Sequence, residues 1–315
     1  MGKNNTLSIT LDNTSAVYYP CQVVSGAVNL KIFETIKKAR GLRLTVEGKS
    51  ESEWTESVGK TTRTFQGEQK HLDVVTYLFG GEDGESTEVP AGIHTYKFSC
   101  RLPANLPYSV DGEHGHIRYK VDACLDIPWT ICDLHTKLPF TVARREDLNL
   151  FPELRMAQEV EEIKKFCWGI CDKNPLQIKI RLPKSGYALG ENVHITIEYN
   201  NMSSHCVDRT EIALWRKEKF VCSDPVKKDR VNKTKITETT ADGVSKNSEA
   251  KIYHVLQIPQ ILTITNRLYT QVFQISYELK INVFTDGCSS SPSLKIPITI
   301  GSIPIRDVPS ISINQ

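Results

Sequence analysis

The sequence lacks the features that mark several large classes of protein. No stretch approaches the roughly 18 consecutive apolar residues that a transmembrane helix needs, and the N-terminus "MGKNNTLSIT" has no apolar signal core. Lysine plus arginine numbers 39 against 37 for aspartate plus glutamate, so charge gives no reason to expect a nucleic-acid partner. These absences favour a cytoplasmic location. The residues "MGKNNT" match a short N-myristoylation pattern, which leaves that modification open.

Motifs of common catalytic chemistry are missing too. There is no G-x-S-x-G turn, no H-E-x-x-H motif and no P-loop, so we expect no enzymatic activity and no cofactor. The stretch "GEHGH" places Glu113, His114 and His116 close together, but a metal site needs three or four converging ligands. His116 is expected on the same strand face as Arg118 and Lys120, which would repel a cation. We therefore expect a polar turn here and no metal.

The nine cysteines are an odd number, which suggests reduced thiols in the cytosol. Cys167 and Cys171 flank "WGI", and this spacing is not that of a CxxC zinc knuckle. We interpret both as free thiols beside a linker, while a redox role for them stays open.

The dominant pattern is alternation of apolar and polar residues, which is typical of strands with one buried face. In the first half the alternating apolar positions include Leu42, Leu44 and Val46; Tyr96, Phe98, Cys100 and Leu102; and Ile117, Tyr119, Val121, Ala123 and Leu125. In the second half they include Ile178, Ile180 and Leu182; Ile275, Tyr277, Leu279, Ile281 and Val283; and Leu294, Ile296, Ile298 and Ile300. Many such runs between turn-forming clusters predict an all-β protein built of antiparallel sandwiches.

Similar signals recur in the same order in the two halves, which predicts two similar domains in tandem. The matched positions are Tyr18 and Tyr187, Pro103 and Pro259, and Tyr119 and Tyr277. One segment, 152–166, is rich in helix formers, and a polar stretch, 229–251, is expected to be a mobile loop or an edge hairpin. The predicted boundaries are a first sandwich at 1–151, a linker at 152–172, a second sandwich at 173–303 and a short tail at 304–315.

Basic residues alternate along two of these strands. Lys97 and Arg101 share the polar face of one strand, and Arg118 and Lys120 share that of another. Because a short connection joins the two strands, we expect them near each other in one sheet. A face lined with these four residues could hold an acidic or phosphorylated peptide by charge-assisted hydrogen bonds. The alternative is a solvated strand face.

The ordered set of motifs along the chain resembles the arrestin family, specifically the arrestin domain-containing proteins (α-arrestins). The motifs are "VYYPCQVVSGAVNL", "LPANLPYSVDGEHGHIRYKVDA", "FTVARREDLNLFPEL", "KKFCWGICDKNPLQIKIRLPKSGYALGENV" and "LKIPITIGSIPI". The resemblance implies two arrestin-like, immunoglobulin-like β-sandwiches. It also implies an adaptor that binds cytosolic tails of membrane proteins and helps route them through endocytosis and endosomal sorting, with recruitment to the plasma membrane and endosomes through its partners.

Two features depart from the family pattern. Many α-arrestins recruit ubiquitin ligases through PPxY motifs, and this sequence contains no Pro-Pro dipeptide, so direct recruitment of a ligase through PPxY is not expected. A ubiquitin ligase or endocytic machinery stays open as a partner. Cys21 stands at a turn where the family often has glycine, which predicts a different turn type. Two alternative functions stay open: a structural coat component like the arrestin-fold subunit of retromer, and a redox-responsive regulator that interacts with thioredoxin.

Overall fold

A computed structural model describes residues 5–82, 85–127, 134–166, 174–266, 268–286 and 291–306. About 68% of the residues lie in β-strands and about 2% in helices, which confirms the all-β prediction. The only helical turns among them are two short 3-10 helices, Leu148–Leu150 and Pro152–Arg155. In this described part of the chain no helix is long and apolar enough to span a lipid bilayer.

The chain divides into two compact units. The first comprises residues 1–144, 220–230 and 268–273, and the second comprises 145–219, 231–267 and 274–315. The strands of the first unit are β1 (Thr6–Leu11), β2 (Val17–Tyr18), β3 (Val23–Ile32), β4 (Ile36–Ala39), β5 (Gly41–Val58), β6 (Thr61–Gly80), β7 (Thr87–Val89), β8 (Gly92–Arg101), β9 (Val110–Asp111), β10 (Gly115–Asp126) and β11 (Leu134–Val142).

Two sheets form the sandwich of the first unit. One is three-stranded, in the order β1-β3-β8, and the other is six-stranded, in the order β2-β11-β10-β5-β6 with β9 beside β10. The short strands β4 and β7 pair separately. Apolar side chains on the inner faces make the core, and Val28, Leu44, Val46 and Val121 are each at most 2% exposed. Burying each such side chain contributes roughly 1.5–3 kcal/mol.

The second unit is also a sandwich of two sheets, which confirms the prediction of tandem sandwiches. The strands that belong wholly or mostly to it are β12 (Gln158–Lys164), β13 (Leu176–Leu182), β14 (Gly186–Ala188), β15 (Asn192–Asn201), β16 (Val207–Cys222), β17 (Lys228–Val244), β18 (Ser248–Gln257), β19 (Phe273–Thr285) and β20 (Ser293–Gly301). The sheet orders are β12-β13-β15-β18 and β14-β20-β19-β16-β17.

The repeated sequence signals occupy equivalent places in the two units. Tyr18 lies on β2, which pairs in parallel with β11, and Tyr187 lies on β14, which pairs in parallel with β20. Tyr119 donates a hydrogen bond of 2.6 Å to the Pro107 carbonyl. Tyr277 donates one of the same length to the Thr263 carbonyl. Each unit therefore fixes a buried tyrosine to the loop that precedes its strand.

Two segments differ from the secondary structure expected for them. Within 152–166, only a single 3-10 turn forms, and Gln158–Lys164 is an edge strand that pairs with β13. The polar stretch 229–251 is neither a loop nor a hairpin, because β17 and β18 belong to different sheets. Both segments are polar on two sides because both supply sheet edges, where side chains stay solvated.

The turn at Cys21 keeps the conformation that favours glycine. Cys21 has a φ of 70°, and Gly190, at the matching turn of the second unit, has a φ of 79°. The expectation of a different turn type is thus wrong, because Cys21 adopts the positive φ that a glycine has at the matching turn. The expectation of reduced cysteines holds for Cys21, Cys100, Cys206 and Cys222. It fails for Cys124, which is disulfide-bonded.

Candidate functional site

The four basic residues predicted to line one face lie on two different sheets of the first unit. Lys97 and Arg101 lie on β8 of the three-stranded sheet, whereas Arg118 and Lys120 lie on β10 of the six-stranded sheet. The expectation that they share one sheet is wrong. The loop between β8 and β10 crosses from one layer of the sandwich to the other, and a short connection in sequence does not distinguish such a crossing from a hairpin.

The two basic residues of β10 are paired with carboxylates. Lys120 Nζ lies 2.8 Å from Glu47 Oε2 on the neighbouring strand, where Glu47 is its cross-strand partner. Arg118 Nε donates to Asp111 Oδ1 at 2.8 Å. Asp122 lies further along the same face and 4.0 Å from Lys120 Nζ. An acidic peptide would therefore have to displace or lie beside carboxylates at this face.

The same alternation of charge continues across the six-stranded sheet. His116 Nε2 lies 2.8 Å from Glu51 Oε2, and Lys49 contacts both Glu51 and Glu68. Burial alone would raise the pKa of the Glu51 carboxyl, but hydrogen bonds and charge from Lys49 and His116 outweigh it and lower that pKa. The outer face of this sheet is a network of paired charges.

The "GEHGH" turn lines an acidic cleft of about 640 Å³ within the first unit. Its carboxylates come from Glu51, Glu53, Glu68, Asp111, Glu113 and Asp224. His114 packs edge-on against the Phe220 ring, with ring centroids 5.6 Å apart. Among the residues that the structure describes, no group of three or more His, Cys, Asp or Glu side chains is placed to hold a metal ion.

Lys97 and Arg101 have a different environment. Both side chains are exposed on β8, and no described residue forms an ion pair with either of them. The side chains that point outward from β1 and β3 beside them are mostly small or hydroxyl-bearing, such as Ser8, Thr10 and Ala27. Of the four predicted basic residues, these two are the pair available to an acidic ligand.

The carboxylates that pair with β10 were missed by sequence reasoning. Glu47 precedes Lys120 by more than seventy positions in the printed sequence, so only the register of β5 against β10 brings the two together. Arg43, Glu47 and Glu51 alternate along the polar face of β5. If the pairing of β5 with β10 is assumed, this alternation indicates that carboxylates lie beside the basic residues of β10. Cys167 and Cys171, the candidate redox pair, lie outside the described residues.

Both halves of the chain match arrestin family models. Residues 7–149 match the model for "Arrestin (or S-antigen), N-terminal domain", and residues 172–305 match that for "Arrestin (or S-antigen), C-terminal domain". Together the two matches cover most of the chain in the order found in that family.

Similar curated proteins carry the same domains. The chain is 31% identical over 205 residues to arrestin domain-containing protein 17 of Caenorhabditis elegans, a match that covers 62% of this chain and 48% of that protein. It is 26% identical over 302 residues to arrestin domain-containing protein 4 of Mus musculus, covering 93% of this chain and 70% of that protein. For arrestin domain-containing protein 5 of Bos taurus the identity is 24% over 304 residues, covering 92% and 89%.

The chain therefore spans about half the length of the nematode relative and a larger share of the two mammalian ones. The paired domain models, the tandem sandwiches and these relatives agree. The chain belongs to the arrestin family, as a protein of the arrestin domain-containing, α-arrestin type.

Proposed function

We propose that this chain is a non-enzymatic adaptor that binds cytosolic tails of membrane proteins and promotes their endocytosis, endosomal sorting or ubiquitin-dependent trafficking. The observation that supports this proposal is the pair Lys97 and Arg101, two exposed cations without an ion-pair partner among the described residues. Acidic and phosphorylated segments are recognised by such basic residues through charge-assisted hydrogen bonds. Arg118 and Lys120 would contribute only where a ligand replaces their present carboxylate partners.

In this proposal the protein is cytoplasmic and reaches the plasma membrane and endosomes through its partners. The sequence contains no Pro-Pro dipeptide, so within these residues a ubiquitin ligase would be recruited by a surface other than a PPxY motif. Neither a metal nor a cofactor is part of the proposed activity.

Proximity labelling in cells tests the adaptor function. The experiment compares the wild-type chain with the Lys97→Glu/Arg101→Glu variant, and with a Lys246→Glu/Lys295→Glu control that makes the same charge change at exposed positions of the second unit. We expect membrane proteins and endosomal machinery among the wild-type neighbours, loss of membrane proteins with the first variant, and no loss with the control.

Other labelling patterns would contradict the proposal. Stable stoichiometric recovery of coat subunits, unchanged by either variant, would favour the retromer-like coat component. Mixed disulfides with thioredoxin that disappear under reductant would favour the redox-responsive regulator.

A further inference from the structure

The three-stranded sheet of the first unit ends in an open edge at β8. On one side β8 pairs with β3 over its whole length, from Arg101 opposite Val23 to Gly92 opposite Ile32. No described strand pairs with its other side. An edge of this kind carries a row of N–H and C=O groups that can bind another strand.

The hydrogen bonds between β8 and β3 show which residues of β8 present these groups. Leu102 N–H donates to the Gln22 carbonyl at 2.8 Å, so its amide points toward β3. Backbone groups of successive residues point to alternate sides of an antiparallel strand. The N–H groups directed to the open edge are therefore those of Ile93, Thr95, Lys97, Ser99 and Arg101. Lys97 and Arg101 thus carry both an outward side chain and an edge-facing amide.

The inner side of this edge is apolar and incompletely covered. Val74 of β6 pairs with the buried Val46 and points into the sandwich, yet 37% of Val74 is exposed. Tyr96, on the inner face of β8, packs against Phe79 of β6 with ring centroids 5.4 Å apart. Because the sheet that contains β8 has fewer strands than the sheet that contains β6, one more strand beside β8 would cover this apolar strip.

The outer side of the edge is basic. The residues that point outward from the described strands β1, β3 and β8 include Lys31, Lys97 and Arg101 and no carboxylate. The carboxylate of Asp12, one residue beyond β1, accepts a hydrogen bond of 2.6 Å from Ser25 Oγ on β3. Lys97 and Arg101 lie on the same face four residues apart, which places their Cα atoms about 13 Å from each other along the strand. A strand with carboxylates on one face at that spacing would complement both charges.

We propose that an extended acidic peptide of another protein binds along β8 as an added strand of the three-stranded sheet. Its backbone pairs with the edge-facing amides, its outward carboxylates contact Lys97 and Arg101, and its inward apolar side chains cover Val74 and Tyr96. This inference rests on the proposed function, in which the peptide is part of a membrane-protein tail. The length of β8 fits a peptide segment of about nine residues.

Fluorescence anisotropy with the full chain tests the site. The probe is a fluorescein-labelled peptide of about eleven residues in which glutamate and valine alternate, and the control peptide has lysine in place of glutamate. We expect saturable binding of the first peptide only. Lys97→Glu/Arg101→Glu should weaken it by about tenfold or more, whereas Lys246→Glu/Lys295→Glu should leave it within about twofold. If Lys97→Glu/Arg101→Glu leaves the affinity for the first peptide unchanged, the proposal is wrong.

Backbone methylation tests whether the peptide binds as a strand. Two further peptides carry N-methyl groups on all glutamates or on all valines, so each loses one of the two alternating sets of N–H groups. We expect one of them to lose binding by about tenfold or more and the other to keep it. Ser99→Pro, which removes an edge-facing N–H, should also weaken binding while the circular dichroism spectrum stays unchanged. Equal binding of both methylated peptides would show that no strand is added.

Sedimentation with vesicles that contain anionic phospholipid separates a membrane surface from a peptide site. If Lys97→Glu/Arg101→Glu abolishes vesicle binding while the wild-type chain does not bind the peptide, the patch binds lipid and the proposal is wrong. Peptide binding in vitro without membrane-protein neighbours in cells would instead contradict the adaptor function and leave the strand-addition site standing.

Discussion

Gly48 and Tyr119 lie opposite each other on β5 and β10, and the tyrosine ring covers the glycine so closely that a Cβ atom there would overlap it. Only glycine leaves room for this ring in the sheet. We expect Gly48→Ala to lower the free energy of unfolding by about 1–3 kcal/mol, because the ring must leave its packed position. Urea unfolding measures the change. The outward-facing Thr45→Ala on the same strand is the control, and equal effects of the two changes would refute this reading.

The hydroxyl of the same tyrosine gives a second prediction. Tyr119→Phe removes the donor to the Pro107 carbonyl and should cost about 1–2 kcal/mol of stability. Tyr277→Phe, which removes the donor to the Thr263 carbonyl, should have a similar cost in the second unit. Burial raises the pKa of Tyr119, and it raises the pKa of Tyr277 to about 12. Both costs should therefore be the same at pH 6 and pH 9 in thermal unfolding, and a cost that changes between them would contradict the assignment.

The left-handed residue at the first repeated turn predicts an unusual stabilising substitution. A residue that carries a side chain and has a backbone φ near 70° is strained by about 1 kcal/mol relative to glycine. Part of this strain is offset because glycine loses more conformational freedom when the chain folds. Cys21→Gly should therefore raise the free energy of unfolding by about 0.5 kcal/mol. Gly190→Ala, at the matching turn, should lower it by a similar amount, about 0.5–1 kcal/mol. Calorimetry of the two variants checks the pair, and a destabilised Cys21→Gly would disprove it.

His71 predicts a pH dependence of stability. Its Nε2 lies 2.6 Å from Ser50 Oγ, and burial lowers the pKa of its ring from the usual 6.5. The unfolded chain then binds a proton below about pH 6.5 that the folded chain does not yet bind. Stability contributed by the neutral ring is thus complete above that pH and decreases as the pH falls toward the folded value. His71→Gln should flatten the decrease between pH 7.5 and 5.5 in urea unfolding; an unchanged slope would exclude His71 as its source.

Thiol reactivity should follow burial among the four free cysteines that the structure describes, Cys21, Cys100, Cys206 and Cys222. Burial raises the pKa of the Cys100 thiol and, above the lowering effect of a hydrogen bond with Ser52, that of the Cys222 thiol. Since the thiolate is the reactive form, both should alkylate slowly. Cys21 is exposed and should react first with iodoacetamide at pH 8. Peptide mapping by mass spectrometry measures the order, and labelling of Cys222 before Cys21 would contradict the structure.

Much of the fold could be predicted because the alternation of apolar and polar residues along a strand indicates which side chains are buried. The run Ile117, Tyr119, Val121 faces inward and Arg118 and Lys120 face outward, as the sequence indicated. The edge strands β12 and β17 could not be recognised in this way. An edge strand has few buried side chains, so its pattern resembles that of a helix or a polar loop even when its backbone pairs along one side.

The candidate site was predictable only in part. Exposure of Lys97, Arg101 and Arg118 follows from position in a strand, whereas the neutralisation of Arg118 by Asp111 depends on the pairing of β9 with β10. The position of β8 at the edge of its sheet also depends on how all the strands are arranged, which the sequence pattern of one strand does not reveal. The sequence therefore indicated basic strand faces, and the structure shows which of them has no ion-pair partner among the residues it describes.

The open edge of β8 also bears on how copies of this protein behave toward one another. A free strand edge offers the same hydrogen-bonding row to a second copy as to any peptide. If two β8 edges met, Lys97 and Arg101 of one copy would face the same cations of the other, and this repulsion opposes self-association at the edge. The two cations thus oppose the pairing of two β8 edges, while the same edge remains open to an acidic strand.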